Sequence, residues 1–456
     1  MGKYFGTDGF RGEVGVTLLP TQAYELGRFF GWYIGILQGR RARVLLAKDT
    51  RLSADMLQGA LCAGLCASGA DVYLLGVAPT PALAYLVEAR GYDFGVMLSA
   101  SHNPFWDNGI KVFDHSGEKP KEEFLALAEA YLDGCLSCFG KAWESLPFAR
   151  AEAVGRVMPL AEEIEYYIEH LVQFGKDVPR GARLALDLAN GATTAVAKRV
   201  FERLGVELVW MGDAPNGTNI NAACGSTHPG NLLGLVRREG AYLGFAFDGD
   251  GDRVLASDEN GALVDGDGIL YILARKMKAQ GGLKGDMVVA TILSNGGLAA
   301  SLAKDGIGLV LTKVGDQNVY QRMCAEGYSL GGEQSGHIIL GDSAKTGDGI
   351  LTALALLSCL DGQSLREALG GLHLLAQVSE NIPIQRRGVL KQPEMQTIIY
   401  NLERQLGQGG RLVVRESGTE PLLRLMAEGE SLALCQETIR EARTLLEENL
   451  DLCAES

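Results

Sequence analysis

The chain has 456 residues, of which 47% are apolar and 21% are charged, and its formal net charge is -14. The composition is ordinary for a globular protein and disfavours a disordered chain. The length favours about three domains. The acidic balance opposes a broad nucleic-acid surface, although a locally positive cleft can still hold a small anion. No apolar run approaches the roughly 20 residues of a membrane span, and MGKYFGTDGFRG lacks the apolar core of a signal peptide. We therefore expect a cytoplasmic protein without membrane or nucleic-acid partners.

Apolar runs alternate with amphipathic stretches, and this alternation predicts parallel α/β sheets. The first unit contains strand 44–47, helix 54–67, strand 72–77, helix 81–89 and strand 94–99. The second contains strand 183–188, helix 193–204 and strands 206–210 and 243–247. The third contains strand 287–292, helix 297–304, strand 308–312 and a helix from 318. Short strands 411–415 and 422–427 and a long helix 432–449 follow.

The predicted fold class is α/β, with three similar mixed α/β domains and a smaller C-terminal α+β domain. The expected domain bounds are 1–154, 155–254, 255–370 and 371–456. Each α/β unit ends a strand with a polar loop, and the loops read SASHNP, DGDGDR and GGEQSGH. Because ligands bind outside the carboxyl ends of strands in open α/β sheets, the three loops are expected to meet over one central cleft.

Asp248, Asp250 and Asp252 alternate with glycines in the second loop. Carboxylates this close repel one another and need a cation or an unusual proton load. Oxygen-only ligation suits magnesium or calcium. An EF-hand is excluded, because Arg253 stands where that loop needs glycine and both flanks are predicted strands. Three carboxylates leave coordination positions open, which favours a magnesium ion that also contacts a phosphate.

Ser101 follows a predicted strand, where a serine can act as a nucleophile or carry a phosphate. His102 is its neighbour, although adjacent side chains often point apart. Lys111 lies ten residues further on and can add a positive charge. The alternatives remain open at this point: the loop also fits a plain Ser/Asn/Pro turn, and an isolated lysine is usually on the surface.

Two later loops carry weaker signals. Hydroxyls, glycine N–H groups and two arginines favour a phosphate site near 415–424, although a simple strand–turn–strand connection fits equally well. Glu333 and Ser335 suit sugar hydroxyls, although an ordinary loop fits them too. The chain lacks the nucleotide phosphate loop and the three-glycine dinucleotide pattern, which disfavours a kinase or a nicotinamide enzyme.

Together these motifs resemble the α-D-phosphohexomutase superfamily, in family order and over essentially the whole chain. The resemblance is strongest to the bacterial phosphoglucosamine mutase branch. Its marks are GTDGFRG at 6–12, NIN at 219–221, CGSTHP at 224–229, EQSGH at 333–337 and SGTEP at 417–421. Phe10 stands where isoleucine is common, Phe105 and Trp106 where tyrosines are, and Glu416 adds an acid beside the last motif.

The resemblance implies four domains around one deep cleft and an exchange of glucosamine 6-phosphate and glucosamine 1-phosphate, which feeds UDP-N-acetylglucosamine synthesis. Ser101 is implied to be the phosphoserine, and a sugar 1,6-bisphosphate such as glucosamine 1,6-bisphosphate is implied as intermediate and activator. One Mg²⁺ per chain would be bound by Ser101, Asp248, Asp250 and Asp252. The partner would be a small sugar phosphate, and the protein a monomer or homodimer.

The resemblance also implies residue roles. Arg11, Lys111 and His337 would surround the reacting hydroxyl, with His102 and Arg253 beside them. Lys111 is expected to be the general acid/base, with a pKa lowered by neighbouring cations. The expected sugar-binding residues are Thr312, Gly315, Asp316, Glu333 and Ser335. The expected ligands of the non-reacting phosphate are Arg415, Ser417, Gly418, Thr419 and Arg424.

Three rival functions were compared with this prediction. A sister mutase acting on mannose or glucose phosphates would use the same fold and serine. A magnesium-dependent phosphatase would not need a second phosphate site far along the chain. A non-catalytic sugar-phosphate-binding protein would not need Ser101 together with all three aspartates.

Overall fold

The computed structural model describes residues 2–6, 8–135, 146–384, 388, 390, 392–407, 410–416 and 422–452. The chain divides into two compact units. One unit comprises Met1–Ile292 and Val310–Gly370, and the other comprises Leu293–Leu309 and Gly371–Ser456. Among the described residues, every helix is too short or too polar to span a bilayer.

The first α/β segment forms a seven-stranded sheet. Its strands are β1 (Phe5–Gly6), β2 (Gly9–Glu13), β3 (Arg43–Lys48), β4 (Asp71–Val77), β5 (Phe94–Leu98), β6 (Asp107–Asp114) and β7 (Val157–Pro159). Its helices are α1 (Pro20–Gln38), α2 (Ala54–Ala67), α3 (Thr80–Ala89) and α4 (Glu122–Leu132). The strand order is β1-β2-β6-β5-β3-β4-β7.

Helices α1 and α2 pack closely over a core that includes Phe29, Phe30 and Leu46. A Cβ atom at Gly64 would lie 2.0 Å from the Tyr24 carbonyl oxygen, so this approach requires glycine. Helix α1 is not among the predicted elements. The predicted elements between 44 and 99 are confirmed to within about two residues at their ends.

The second segment forms a five-stranded sheet. Its strands are β8 (Arg183–Asp187), β9 (Glu207–Met211), β10 (Leu243–Phe247), β11 (Val254–Ser257) and β12 (Leu263–Val264). Its helices are α5 (Ile164–Phe174), α6 (Ala197–Arg203) and α7 (Gly230–Glu239). The strand order is β12-β11-β10-β8-β9.

The helix predicted over 193–204 is wrong as a continuous element. Ala192–Ala195 forms a short 3₁₀ turn, and α6 begins only after it. The hydroxyls of Thr193 and Thr194 donate to nearby backbone carbonyls at 3.3 and 2.7 Å. Such local bonds compete with helical ones and explain the interruption.

The third sheet has four strands. The strands of this segment are β13 (Met287–Thr291), β14 (Gly308–Thr312), β15 (Leu330–Gly332) and β16 (Ile338–Leu340), in the sheet order β14-β13-β15-β16. The helices are α8 (Gly266–Ala279), α9 (Gly296–Lys304), α10 (Asp316–Glu326), α11 (Gly349–Cys359) and α12 (Leu365–Ala368).

All three sheets are mixed. Strand pairs joined through helices, such as β3–β5, β8–β10 and β13–β15, are parallel, as the alternation predicts. The strand after each polar loop returns antiparallel, in the pairs β5–β6, β10–β11 and β15–β16. These three strands lie outside the ranges that the alternation predicts, and the mixed sheets agree with the predicted mixed α/β domains. Loops 99–106, 248–253 and 333–337 are shorter than the dozen or so residues of a parallel crossover.

The second unit contains the predicted α+β domain, to whose predicted elements the structure adds one strand and one helix from 371–456 and one helix from 293–309. Its elements are β17 (Ala376–Pro383), α13 (Pro393–Gln405), β18 (Arg411–Glu416), β19 (Leu422–Gly429) and α14 (Leu432–Leu452), together with α9. The sheet is antiparallel in the order β17-β19-β18. Buried Glu428 accepts hydrogen bonds from Gly296 N at 3.0 Å and Arg411 Nε at 2.9 Å, which fixes α9 to this sheet.

Candidate active site

Ser101 lies in the loop between β5 and β6 and is fully buried. Its hydroxyl donates to Asp248 Oδ2 at 2.5 Å. His102 Nδ1 lies 3.2 Å from the same hydroxyl oxygen, so the two adjacent side chains do meet. The backbone of Ser101 is left-handed, with φ at 52°. The structure thus directs the candidate nucleophile at the acidic loop of the second sheet.

The three aspartates form one buried cluster in the loop between β10 and β11. Asp248, Asp250 and Asp252 each offer an oxygen, and these atoms lie within 4.8 Å of one another. Burial, followed by the other two carboxylates, raises the pKa of Asp248 well above its usual value. Within the described residues, Asp250 Oδ1 and Asp252 Oδ1 have no hydrogen-bond partner. The cluster therefore has the oxygen ligands and the free acceptor positions that a hard divalent cation needs.

Lys111 lies on β6 and is 2% exposed, which excludes the alternative of an isolated surface lysine. Its Nζ atom is 2.7 Å from Asp250 Oδ2, 3.0 Å from Asp8 Oδ2 and 3.3 Å from Asp252 Oδ2. Burial lowers its pKa, but the three carboxylates outweigh burial and raise it. The expected lowering of the Lys111 pKa by cations is thus wrong, because its closest charged neighbours are anions.

Asp8 and Lys119 extend this charge network. Arg11 on β2 donates to Asp8, and β2 places Arg11 opposite Gly109 of β6. Lys119 Nζ donates to Asp8 Oδ1 at 2.9 Å and to Asp316 Oδ2 at 2.6 Å. Asp8 and Lys119 were missed as site residues. Asp8 lies inside the motif that contains Arg11, which was an available signal, whereas no motif marks Lys119.

His337 stands directly before β16 and is 2% exposed. Its Nδ1 lies 3.7 Å from Asp252 Oδ1, and its Nε2 lies 3.6 Å from Asp316 Oδ2. Burial lowers its pKa, but the nearby carboxylates, Asp252 first, raise it. Gly347 N donates to Nε2 at 2.9 Å, so protonation of that nitrogen requires this hydrogen bond to break.

Arg253 and His102 flank the cluster. Arg253 Nε lies 3.8 Å from Asp252 Oδ1. Burial, and then the charges of Arg253 and Arg11, lower the pKa of His102 to about 2. His102 is therefore neutral, and because the Ser101 hydroxyl donates its one proton to Asp248, the tautomer of His102 protonated at Nδ1 would donate to Ser101 Oγ.

The predicted sugar-binding residues are only partly brought together. Glu333 Oε1 accepts from Gly315 N at 3.0 Å, and Asp316 follows directly at the start of α10. Ser335 is exposed on the loop between β15 and β16. The Thr312 hydroxyl instead donates to backbone carbonyls of residues 290 and 313. Glu333, Gly315 and Asp316 thus form one group that Thr312 does not join by its hydroxyl.

The structure describes only part of the predicted phosphate site near 415–424. Arg415 and Arg424 are directly opposite each other in the β18–β19 register. Ser417, Gly418 and Thr419 lie outside the described residues. Glu416 Oε1 accepts from Gly388 N at 2.8 Å, so its carboxylate is engaged by backbone.

Thr80 is a further site residue that the sequence analysis missed. It begins α3, and its hydroxyl donates to Asp250 Oδ2. Its backbone N–H also donates to the Asp250 carbonyl at 2.9 Å. The signal was its place just after strand β4, at the sheet edge where ligand-binding loops collect.

Comparisons with known proteins cover nearly the whole chain. Four descriptions of the phosphoglucomutase/phosphomannomutase family match it: alpha/beta/alpha domain I over 2–133, domain II over 165–261, domain III over 265–373 and the C-terminal domain over 376–444. A phosphoglucosamine mutase of Lachnoclostridium phytofermentans is 45% identical over 96% of each chain. Another, of Lachnospira eligens, is 44% identical over 96% of this chain and 97% of its own.

A solved structure extends this similarity to the fold. A phosphoglucomutase/phosphomannomutase family protein of Burkholderia thailandensis aligns with a TM-score of 0.78 at 25% identity. The alignment covers 98% of this chain and 97% of that chain.

Proposed function

Because the chain belongs to the phosphoglucomutase/phosphomannomutase family, we propose that it interconverts glucosamine 6-phosphate and glucosamine 1-phosphate. The protein is a phosphosugar mutase, an enzyme of the isomerase class. The full-length similarity to phosphoglucosamine mutases favours glucosamine over other sugars. The observation that carries the proposal is the buried contact between Ser101 Oγ and the acidic loop.

The proposed reaction moves a phosphoryl group twice. Phosphorylated Ser101 gives its phosphoryl group to a sugar hydroxyl: the bond from phosphorus to Ser101 Oγ breaks, and a bond to the sugar oxygen forms. The resulting 1,6-bisphosphate turns round, and its other phosphoryl group returns to Ser101. A sugar 1,6-bisphosphate is the activator that we propose for charging an unphosphorylated serine.

The acidic cluster is a metal site, and we propose Mg²⁺ as its ion. Asp248, Asp250 and Asp252 would hold the ion together with the oxygen of Ser101. When bound, the ion would neutralise charge that develops on the transferring group. The all-oxygen donor set and the two partnerless carboxylate oxygens fit this ion.

The cations around the cluster would stabilise the same charge. Arg11, Arg253 and protonated Lys111 supply positive charge on that side, and His337 stands against Asp252. We propose Lys111 as the group that exchanges a proton with the reacting hydroxyl. Since its raised pKa keeps it protonated, Lys111 is ready to donate. To accept a proton, Lys111 must first lose its own. That loss requires another positive charge to balance its carboxylate partners.

Two further groups would orient the substrate. Glu333 and Ser335 are proposed to bind sugar hydroxyls, with residues 312–316 alongside. Arg415 and Arg424, which share one face of the β18–β19 ladder, are proposed to bind the non-reacting phosphate with residues 417–419. Holding both ends of a sugar bisphosphate is what separates a mutase from a phosphatase.

Some proposals concern the whole chain. Bounds of 1–154, 155–254, 255–370 and 371–456 remain the proposed domain division, although the second sheet continues to Val264. A cytoplasmic location and a monomeric or homodimeric state also remain predictions.

A substrate comparison tests the proposal. Purified protein with Mg²⁺ and a trace of sugar bisphosphate is given glucosamine 6-phosphate, glucose 6-phosphate or mannose 6-phosphate, and 1-phosphate formation is measured. We expect glucosamine 6-phosphate to have the highest kcat/KM and Ser101→Ala to be inactive. Preference for glucose or mannose would overturn the sugar assignment alone, and an active Ser101→Ala variant would overturn the mechanism.

Distal phosphate binding needs a separate variant. Arg424→Met should raise KM for the sugar phosphate at least about tenfold, while Arg404→Met, a surface arginine on α13, should not. Equal KM values in the two variants would remove Arg424 from the proposed phosphate site.

A further inference from the structure

The loop that carries Ser101 has a costly backbone conformation. Ser101 has φ at 52°, in the left-handed region that residues with a side chain rarely enter. Such a conformation is unfavourable for a residue with a side chain and persists only where its surroundings hold it. Hydrogen bonds to the carbonyls of Ser101 and Asn103 hold this loop in place.

The first set of donors comes from Arg51, whose side chain is completely buried. Its Nη2 atom donates to Ser101 O at 2.8 Å and to Asn103 O at 2.9 Å. Its Nη1 atom donates to Asp107 O at 3.0 Å and also to Pro104 O. One guanidinium therefore binds four carbonyls along the loop.

Arg51 is itself fixed by the end of the neighbouring strand. Asp49 Oδ2 accepts from Arg51 Nε at 2.8 Å and from the Ser99 hydroxyl at 2.6 Å. Ser99 Oγ in turn accepts from Ser101 N at 2.9 Å. The loop is therefore held at both the N–H and the carbonyl of Ser101.

The second donor lies in the segment that forms the five-stranded sheet. Asn221 Nδ2 donates to Ser101 O at 2.9 Å and to Asn103 O at 3.2 Å, the same two carbonyls that Arg51 Nη2 binds. A carbonyl oxygen accepts two hydrogen bonds, so Arg51 and Asn221 together satisfy Ser101 O. Gly249 packs against Ser101 O, because a Cβ atom at residue 249 would lie only 2.4 Å from that carbonyl oxygen.

We propose that Arg51 and Asn221 are positioning residues that clamp the phosphoserine loop from two domains and set the direction of Ser101 Oγ towards Asp248. The proposal rests on the proposed phosphoryl transfer and adds residues that bind backbone carbonyls of the serine loop. Positioning matters because phosphoryl transfer depends on alignment of the reacting atoms, and a misplacement of about 1 Å can cost about 100-fold in rate. Because Asn221 belongs to the second domain, the alignment of Ser101 also depends on the position of the second domain relative to the first.

The test uses Asn221 because Arg51 is buried and its loss can prevent folding. Asn221 has φ at 58°, so Asn221→Gly removes the amide without straining the backbone. Asn221→Asp keeps the shape but turns the donor into an acceptor that repels both carbonyls. Asn260→Ala is the control, since exposed Asn260 lies between β11 and β12 and its Nδ2 donates at 3.3 Å to Glu259 Oε1.

We expect both Asn221 variants to lose about 10–100-fold in kcat, with KM for the sugar phosphate changed less than about twofold. Hydrogen exchange of a peptide covering 99–107 should accelerate, while the melting temperature stays near that of the control. Arg51→Lys, which keeps the charge but has one donor atom, should show a larger loss of kcat if it folds.

Two results would overturn the proposal. One is a kcat for Asn221→Gly within about twofold of the Asn260→Ala control. The other is unchanged hydrogen exchange in the serine loop. If the wild-type protein turns over no sugar phosphate, the proposed function fails and the catalytic role falls with it. Active wild type with active Asn221 variants refutes only the clamp.

Discussion

Asp348 offers a test of the electrostatics around the site. It caps α11, accepting from Leu351 N at 2.9 Å and from the Tyr167 hydroxyl at 2.8 Å. Burial raises its pKa from 3.8 to about 6, despite these hydrogen bonds. The residue is only 3% exposed, so its ionised form lacks most of its water. The substitution Asp348→Asn keeps a capping oxygen and removes the charge.

The sign and size follow from linkage. Between about pH 4 and pH 6 the unfolded chain loses the Asp348 proton before the folded protein does, so folding stability falls as pH rises. A pKa raised by about two corresponds to about 3 kcal/mol of lost stability near neutral pH. Asp348→Asn should therefore be more stable than wild type by about 3 kcal/mol at about pH 7.5 and by about 1 kcal/mol at about pH 4.5.

Urea unfolding followed by tryptophan fluorescence at the two pH values measures this difference. Asp342→Asn is the control, because that carboxylate is exposed and its ion pair with Lys284 lies at the surface. The reasoning is refuted if Asp348→Asn is less stable than wild type at neutral pH. It is equally refuted if the difference between variant and wild type is the same at both pH values.

Three substitutions test the centre of the site. Thr80→Val removes the hydroxyl that donates to Asp250, so Mg²⁺ affinity measured by calorimetry should fall about 10–100-fold; unchanged affinity would contradict this role. Lys111→Met removes a fixed cation 2.7 Å from Asp250 Oδ2, so turnover should fall at least about 100-fold while Mg²⁺ binds more tightly; weaker binding would count against it. Gly249→Ala places a methyl group 2.4 Å from the Ser101 carbonyl oxygen and should abolish most turnover, and wild-type turnover would refute the close packing.

Local sequence patterns predicted the parts of the site that lie on single loops. Asp248, Asp250 and Asp252 are neighbours in sequence, so their mutual repulsion was visible before folding. The alternation of apolar and amphipathic segments likewise predicted the parallel strand pairs. The polar loop after a strongly apolar strand made Ser101 only a candidate, and the family resemblance assigned it the role of phosphoserine.

Contacts made by distant strands could not be predicted in this way. Lys111 is buried because β6 pairs with both β5 and β2, and β2 brings in Asp8 from a separate motif. Its charged neighbours, and so the direction of its pKa, depend on that pairing. Arg51 shows the same limit: it reaches the carbonyls of residues 101–107 only because β3 and β5 are adjacent.

The antiparallel return of β11 constrains the length of the acidic loop as well as its composition. Phe247 and Val254 are paired residues, so exactly the segment 248–253 must close the turn between them. Inserting or deleting one residue would either shift the β10–β11 register, which turns every later side chain of β11 to the opposite face, or move the aspartates apart. Among related proteins we therefore expect this loop to differ by substitutions. Insertions and deletions are expected in other connections of the chain.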